Sequence, residues 1–337
     1  MFKIPLVDFD SFLLYNINTT RKEIDMQKVC MLIGLPGSGK STWAKDVLEG
    51  TNYLYVNLSS GLSSDFKIFS SDEYREKLCG DVNCQDNNQK VFDTLYDDLI
   101  EHVKNGGSAI YDATNINRKS RKTLLHRLQD LHIDNLVIQG VVFVTPIEKC
   151  IERNNARNRK VPEEVIHSMA CRFELPLTNE GFDDIVYNYD HYSEFYDPIK
   201  EFAKMRGFNQ DNPNHTETLD VHCFKACTYL LDKTNNKELL TAALFHDLGK
   251  YYVAKYNEEK GYTQFIGHEN YGAYRCLTTN FPSPIDPVGV ALYVNYHMEI
   301  FRLKDAKEKS FIKHKNLFKP EFWNNLELLR EADLSAH

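Results

Sequence analysis

A parallel α/β domain followed by an all-helical domain is the fold the sequence predicts, and three observations predict it. A glycine-rich loop, Gly34-Leu-Pro-Gly-Ser-Gly-Lys-Ser-Thr42, stands between an apolar run and a helical stretch. From Lys28 to about Tyr189, short apolar runs alternate with amphipathic stretches, as in strands joined by crossover helices. Beyond Tyr189 the strand pattern stops, and histidines and aspartates recur in helical contexts. At 337 residues the chain is long for one hydrophobic core and comfortable for two domains. Its 42% hydrophobic and 26% charged residues are ordinary for a globular protein. No apolar run approaches the ~18 residues that span a membrane, and no signal-peptide pattern opens the chain, so no membrane association is expected. Eight scattered cysteines without a Cys-x-x-Cys pair suit reduced thiols and a cytoplasmic location. A formal charge of −8 argues against a general polyanion-coating protein, yet leaves room for a local basic channel.

Taken in order, residues 1–27 carry no readable motif and form an N-terminal extension. Val29–Ile33 is a short apolar run ahead of the glycine loop and reads as a buried strand. Ser41–Leu48 behind the loop reads as a helix. Asn57–Asp65, rich in Ser and Gly, is an expected surface loop. Further strands are expected at Lys67–Ser70, Ser108–Tyr111, Asn135–Val144 and Asp184–Tyr189. Helical stretches fall at Tyr74–Leu78, Gln89–Lys104, Arg118–Leu131 and Pro146–Asn155. Tyr192–Met205 reads as a bridging helix, and Asn209–His215 as a polar loop before a wholly helical remainder. The domain boundary is placed near residue 205, giving domains over 28–205 and 206–337.

The glycine loop fits the phosphate-loop pattern at every position. Gly34, Gly37 and Gly39 let the backbone N–H groups around Ser38 close on phosphate oxygens, and the helix start at Ser41 and Thr42 adds a positive field. Lys40 is placed to reach the β/γ-phosphates and the Ser41 hydroxyl to hold Mg²⁺, which makes ATP with Mg²⁺ the expected ligand. In Ser70-Ser-Asp72-Glu-Tyr-Arg75, Asp72 and Arg75 follow the second strand, at the sheet edge where open α/β folds bind ligands. Two readings fit Asp72. It can accept a proton from an attacking hydroxyl, with Arg75 holding an anionic acceptor, or it can cap a helix. Asp112, in Tyr-Asp112-Ala-Thr-Asn-Ile-Asn117, is a second strand-end carboxylate that could orient Mg²⁺. The run Arg118, Lys119, Arg121 and Lys122 is either a solvated face or a substrate contact. Arg153 and Arg157, spaced i, i+4, share a helix face in a segment holding four cations between Arg153 and Lys160. They read as clamps for transition-state charge or as salt-bridge partners of Glu148, Glu152 and Glu163.

Four segments in order, GLPGSGKSTWA, SSDEYR, YDATNIN and RNNARNRKVPEEVIHSM, resemble the phage-type 5′-hydroxyl polynucleotide kinases over roughly residues 28–190. The resemblance implies Asp72 as general base on the 5′-OH and Arg75 as a contact to the acceptor phosphate. It implies Asp112 as a carboxylate on the phosphate and metal side, and Arg157 as a lid arginine on the ATP phosphates. Small-molecule kinases share the loop and the lid.

In the second half, adjacent His246 and Asp247 project about 100° apart on a helix and can share a metal ion inside a bundle. His215, His222, His268 and His297 lie in the same stretch, and Asp333 lies far downstream. A lone histidine on an apolar face is more often a core residue, but these five, gathered in one helical domain with one of them next to Asp247, shift that balance. This half resembles the HD phosphohydrolase superfamily, with its His…His-Asp…Asp signature, over about residues 206–337. The resemblance implies His222, His246, Asp247 and Asp333 as ligands of a first metal, with Asp305 as the alternative to Asp333. It implies His268 and His297 at the positions of two-metal members, Lys250 on the scissile phosphate, and His215 on that phosphate or as proton donor. Mixed His/carboxylate ligation suits Mn²⁺, Ni²⁺, Co²⁺, Fe²⁺ or Zn²⁺.

One domain that adds phosphate and another that removes it are futile on a small substrate and complementary on a broken RNA. The expected function is therefore bifunctional healing of RNA or DNA ends. It combines 5′-OH phosphorylation with removal of 2′,3′-cyclic, 2′- or 3′-phosphate, and a separate RNA ligase seals, because no Lys-x-Asp-Gly adenylation motif is present. The alternatives are a nucleoside or small-molecule kinase fused to an HD nucleotidase, or a kinase with a catalytically idle HD scaffold.

Overall fold

A computed structural model describes residues 26–50, 66–81, 87–190, 192–213 and 216–336. The expected Asn57–Asp65 loop, His215 and nearly all of the N-terminal extension lie outside the described residues. The first half is a five-stranded, all-parallel sheet. Its strands are β1 (Gln27–Ile33), β2 (Phe66–Ser70), β3 (Ser108–Asp112), β4 (Leu136–Val144) and β5 (Asp184–Tyr189), in spatial order β2-β3-β1-β4-β5. Crossover segments α1 (Lys40–Leu48), α2 (Ser71–Cys79), α3 (Asn88–Lys104), α4 (Arg118–Gln129), α5 (Ile147–Asn155) and α6 (Glu163–Ala170) join them. The central strand shows why its sequence is continuously apolar: both faces are covered. Cys30 and Leu32 pack with Trp43, Ala44 and Phe143 on one face. Val29, Met31 and Ile33 point the other way, into a core that runs on without a break into the helical half.

That half comprises α7 (Pro198–Met205), α8 (Leu219–Leu230), α9 (Lys237–Phe245), α10 (Gly249–Val253), α11 (His268–Leu277), α12 (Pro287–Tyr296), α13 (Glu299–Arg302), α14 (Glu308–Lys315) and α15 (Pro320–Ser335). The principal packings are α11 on α12, α8 on α15, and α9 on both α8 and α12.

The sheet face and the helical half are also joined by polar contacts. Asn295 accepts from the Leu175 N–H at 2.7 Å and donates to the Phe173 carbonyl at 2.9 Å. Tyr274 Oη donates to the Thr145 carbonyl at 2.9 Å. Buried Arg275 pairs with Glu148 and with Glu201, each at 2.7 Å.

The structure corrects three expectations. The bridging helix over 192–205 is instead a 3₁₀ turn at Tyr192–Glu194 and a separate α7. Asp197 caps α7 by accepting from Ile199 and Lys200 N–H groups, and Pro198 fits its first turn, so the chain is extended just before it. The remainder is not wholly helical, because β6 (Lys255–Asn257) and β7 (Tyr262–Gln264) form an antiparallel hairpin closed at Gly261. Finally, α5 ends at Asn155, so Arg157 lies in the turn beyond it and shares no helix face with Arg153. Asn154 stops the helix by bonding both the N–H and the carbonyl of Val161.

Candidate active sites

The phosphate loop connects β1 to α1 at the C-terminal edge of the sheet. Gly37 has φ of +84°, and a Cβ there would sit 2.1 Å from the Cys150 carbonyl oxygen, so only glycine fits. Lys40 Nζ donates to the Gly34 and Leu35 carbonyls at 2.9 and 2.8 Å. Burial pulls this ammonium below its ordinary range, with Asp112 pulling the other way. Ser41 Oγ donates to Asp112 Oδ2 at 2.6 Å, bringing together the hydroxyl and carboxylate suited to Mg²⁺.

Asp72 lies in the first turn of α2, and the N-cap position belongs to Ser70. Its side chain is 57% exposed and paired with Arg75 at 3.2 Å and Arg159 at 2.6 Å. Arg75 is itself held: Nε and Nη2 donate to Asn88 Oδ1, and the guanidinium lies over the Phe92 ring. The lid segment differs from its sequence reading. Arg157 is exposed, whereas Arg153 lies against Gly39 and pairs with Asp190 at 2.6 Å. Sequence reasoning assigned no role to Asp190 and counted Arg159 only among the lid cations; the asparagines around Arg157 were the signal that the helix face of Arg153 does not continue to it. Arg121 is fully buried in paired bonds to Glu180, so that cation serves the fold.

In the helical half, four histidines and two aspartates converge from five places in the chain. His222 lies in the first turn of α8, His246 and His297 follow α9 and α12, His268 opens α11, and Asp333 lies in the last turn of α15. Asp247 stands between two sets. Its Oδ2 is 3.4 Å from His222 Nε2 and 3.3 Å from His246 Nε2. Its Oδ1 is 3.2 Å from His268 Nε2 and 3.8 Å from His297 Nε2. Asp333 joins the first set at 3.0 Å from His222 and 3.7 Å from His246. Asp305 is exposed in a turn and belongs to neither set.

The donor chemistry fits cations. The Nδ1 atoms of His246, His268 and His297 face the carbonyls of Ala243, Phe265 and Val294 at 2.9, 2.8 and 2.7 Å. Nδ1 donation to these carbonyls turns each Nε2 inward. Nε2 atoms meet at 3.2 Å between His222 and His246 and at 3.3 Å between His268 and His297, spacings that favour a shared positive charge.

Burial raises the Asp247 carboxyl, but Lys250 and His246 overcome this and hold it well below the usual range. Burial likewise raises Asp333, and hydrogen bonds from His222 and His246 more than reverse it. Burial lowers His246, yet Asp247 beside it turns the balance well upward. His297 is pushed down to about 3 by burial and then by His246 and His268. Lys250 Nζ binds Asp247 Oδ2 at 2.7 Å and Gln210 Oε1 at 2.9 Å. Asp247, Lys250, His268 and Asp333 open on a cavity of about 550 Å³ walled by Phe265, Met298 and Phe301.

Residues 29–176 match the family described as AAA domain, and residues 219–332 match the HD domain. The chain joins a P-loop kinase domain to an HD domain. It is similar to the L-seryl-tRNA(Sec) kinase of Methanococcus maripaludis, with 26% identity over 45% of this chain and 55% of that protein. It is also similar to the Bifunctional polynucleotide phosphatase/kinase of Schizosaccharomyces pombe, with 24% identity over 49% of this chain and 34% of that one. The chain thus spans about half or less of the length of these curated relatives. Among solved structures, the Pnkp1/Rnl/Hen1 RNA repair complex contains a chain with 21% identity over 45% of each partner and a TM-score of 0.35. Among the described residues, no helix of this P-loop–HD chain is long and apolar enough to cross a membrane.

Proposed function

We propose that this chain is a bifunctional RNA end-healing enzyme. The kinase half phosphorylates 5′-OH ends with ATP, and the HD half removes 2′,3′-cyclic, 2′- or 3′-phosphate, leaving ends for a separate RNA ligase. The observation that carries this reading is the union of two sites in one chain. A phosphate loop accompanies a carboxylate in the first turn of α2 with a fixed arginine three residues on, and a cluster of four histidines and two aspartates lies in the helical half. The names of the two curated relatives, one an L-seryl-tRNA(Sec) kinase and the other a bifunctional polynucleotide phosphatase/kinase, support an acceptor that is, or is carried on, a nucleic acid.

In the kinase half, Asp72 takes the proton of the attacking 5′-OH. Its pairs with Arg75 and Arg159 aim the carboxylate, and Arg75 binds the acceptor's phosphate. Lys40 exchanges the Gly34 and Leu35 carbonyls for ATP phosphate oxygens, and the lid cations Arg153 and Arg157 close over them. Ser41 and Asp112 would hold Mg²⁺, which would supply charge neutralisation at the phosphoryl group.

In the HD half, His222, His246, Asp247 and Asp333 would hold one divalent ion, and His268 and His297 would serve a second beside Asp247. Such ions, when bound, supply the Lewis acidity that phosphoester hydrolysis needs. Lys250 orients Asp247 and meets the scissile phosphate at the cavity, with His215 assigned to that phosphate or to proton donation.

The test is an RNA bearing a 5′-OH and a 2′,3′-cyclic phosphate, incubated with ATP, Mg²⁺ and Mn²⁺ or Ni²⁺, with both ends read by mass spectrometry. A gained 5′-phosphate and a lost cyclic phosphate are expected. RNA left untouched while free nucleosides are phosphorylated would contradict the proposal and favour nucleotide metabolism.

A further inference from the structure

Between the two domains lies a second cleft, of about 630 Å³, whose chemistry neither candidate site uses. Five permanent cations line it: Arg118, Lys119 and Lys122 on α4, Arg172 after α6, and Lys313 on α14. The two carboxylates on its wall are already engaged. Glu180 makes two 2.8 Å bonds to buried Arg121, and Glu174 Oε2 accepts from the Arg118 N–H at 2.6 Å. Arg118 Nη1 is buried and has no hydrogen-bond partner among the described residues. Lys119, Lys122, Arg172 and Lys313 are exposed. On a chain with net charge −8, this is a concentrated positive groove walled by both domains.

Its position links the two chemistries. Only residues 113–117 separate Asp112 from the start of α4, and Asn270, on the far wall, lies two residues beyond His268. The spacing identifies the kind of anion. From Arg118 to Lys122, the cations of α4 rise about 6 Å at 1.5 Å per residue. A stacked nucleic-acid strand advances about 3.4 Å per nucleotide, so α4 meets roughly two successive phosphates and Arg172 and Lys313 on the other walls meet the next ones. A free phosphate or mononucleotide would leave most of the cleft unused. We propose that this cleft binds the sugar–phosphate backbone of the RNA strand whose 5′-OH end enters the kinase site. The identity of that strand rests on the end-healing reading; the polyanion chemistry does not.

The experiment compares the full chain with the quadruple variant Lys119→Ala, Lys122→Ala, Arg172→Ala, Lys313→Ala. Anisotropy of a labelled 5′-OH RNA 20-mer is read across a salt series, without ATP or added metal. At about 0.7 per single-strand phosphate contact, losing four contacts should flatten the slope of log K against log salt by roughly 2 to 3. Affinity at low salt should fall at least tenfold, while phosphorylation of a dinucleotide stays unchanged. The charge-conserving variant, with arginine at the three lysine positions, should bind as the parent does. Unchanged affinity and slope in the alanine variant would overturn the proposal, as would a parent chain that binds polyglutamate and not RNA. Because binding is read without catalysis, a parent that binds RNA through these residues yet leaves both ends unreacted would refute end healing and uphold the cleft.

Discussion

Asp72 and Asp247 are both carboxylates at element junctions, and their surroundings give them different work. Asp72 is exposed and aimed by two arginines, so replacing it removes little packing. Asp72→Asn should lower the turnover of 5′ phosphorylation by about 10²–10⁴, the usual worth of a positioned general base. Thermal unfolding should shift only slightly, since exposed ion pairs contribute ~0–1 kcal/mol; an Asn variant of full activity would remove Asp72 from its role. The His246-Asp247 pair was legible in sequence because adjacency alone lets two ligands meet. The two-sided reach of Asp247 was not, because it depends on α11 and α12 packing against α9 and α10. Nor was Arg153's place on the phosphate loop, which depends on how α5 and the end of β5 pack beside Gly39.

At the scale of elements, the strand and helix alternation was readable because both faces of β1 are buried and each crossover is amphipathic. The hairpin at Lys255–Gln264 and the broken segment before α7 escaped, since three-residue strands and a proline restart carry little periodic signal. Gly249 shows a constraint visible only in three dimensions. Helix α10 crosses α11 backbone to backbone, and a Cβ on Gly249 would lie 1.9 Å from the His268 carbonyl oxygen. Gly249→Ala should therefore push α11 away, costing about 1–3 kcal/mol as overpacking does. It should also displace His268 from the second ligand set. Calorimetry and metal content by mass spectrometry check this, and a variant with parental stability and metal content would contradict it.

For the whole molecule, the continuous core and the Arg275 network make the two domains one packed body along their shared face. Arg275 lies over the Tyr196 and Tyr252 rings, at 3.3 and 4.6 Å from their centroids, and pairs with buried Glu201. Burial raises the Glu201 carboxyl, but Arg275, Lys204 and Tyr252 leave it below its ordinary value of 4.5. A carboxyl lowered by folding contributes stability that is complete above its unfolded value and disappears as pH falls through the folded one. Urea unfolding should thus find Glu201→Gln less stable than the parent at pH 7, with the difference shrinking below about pH 4.5. A difference that stays constant or grows on acidification would contradict this assignment. The interface itself left no trace in sequence, where Arg275 and Glu148 stand 127 positions apart.

As proposed, one chain carries two independent phosphate chemistries directed at opposite RNA ends. The most direct measurement gives Asp72→Asn and Asp247→Asn, each in the full chain, an RNA with a 5′-OH and a 2′,3′-cyclic phosphate. Asp72→Asn should lose 5′ phosphorylation and still open and remove the cyclic phosphate. Asp247→Asn should do the reverse. If either substitution abolished both reactions, or neither, the account of two separate sites would be wrong.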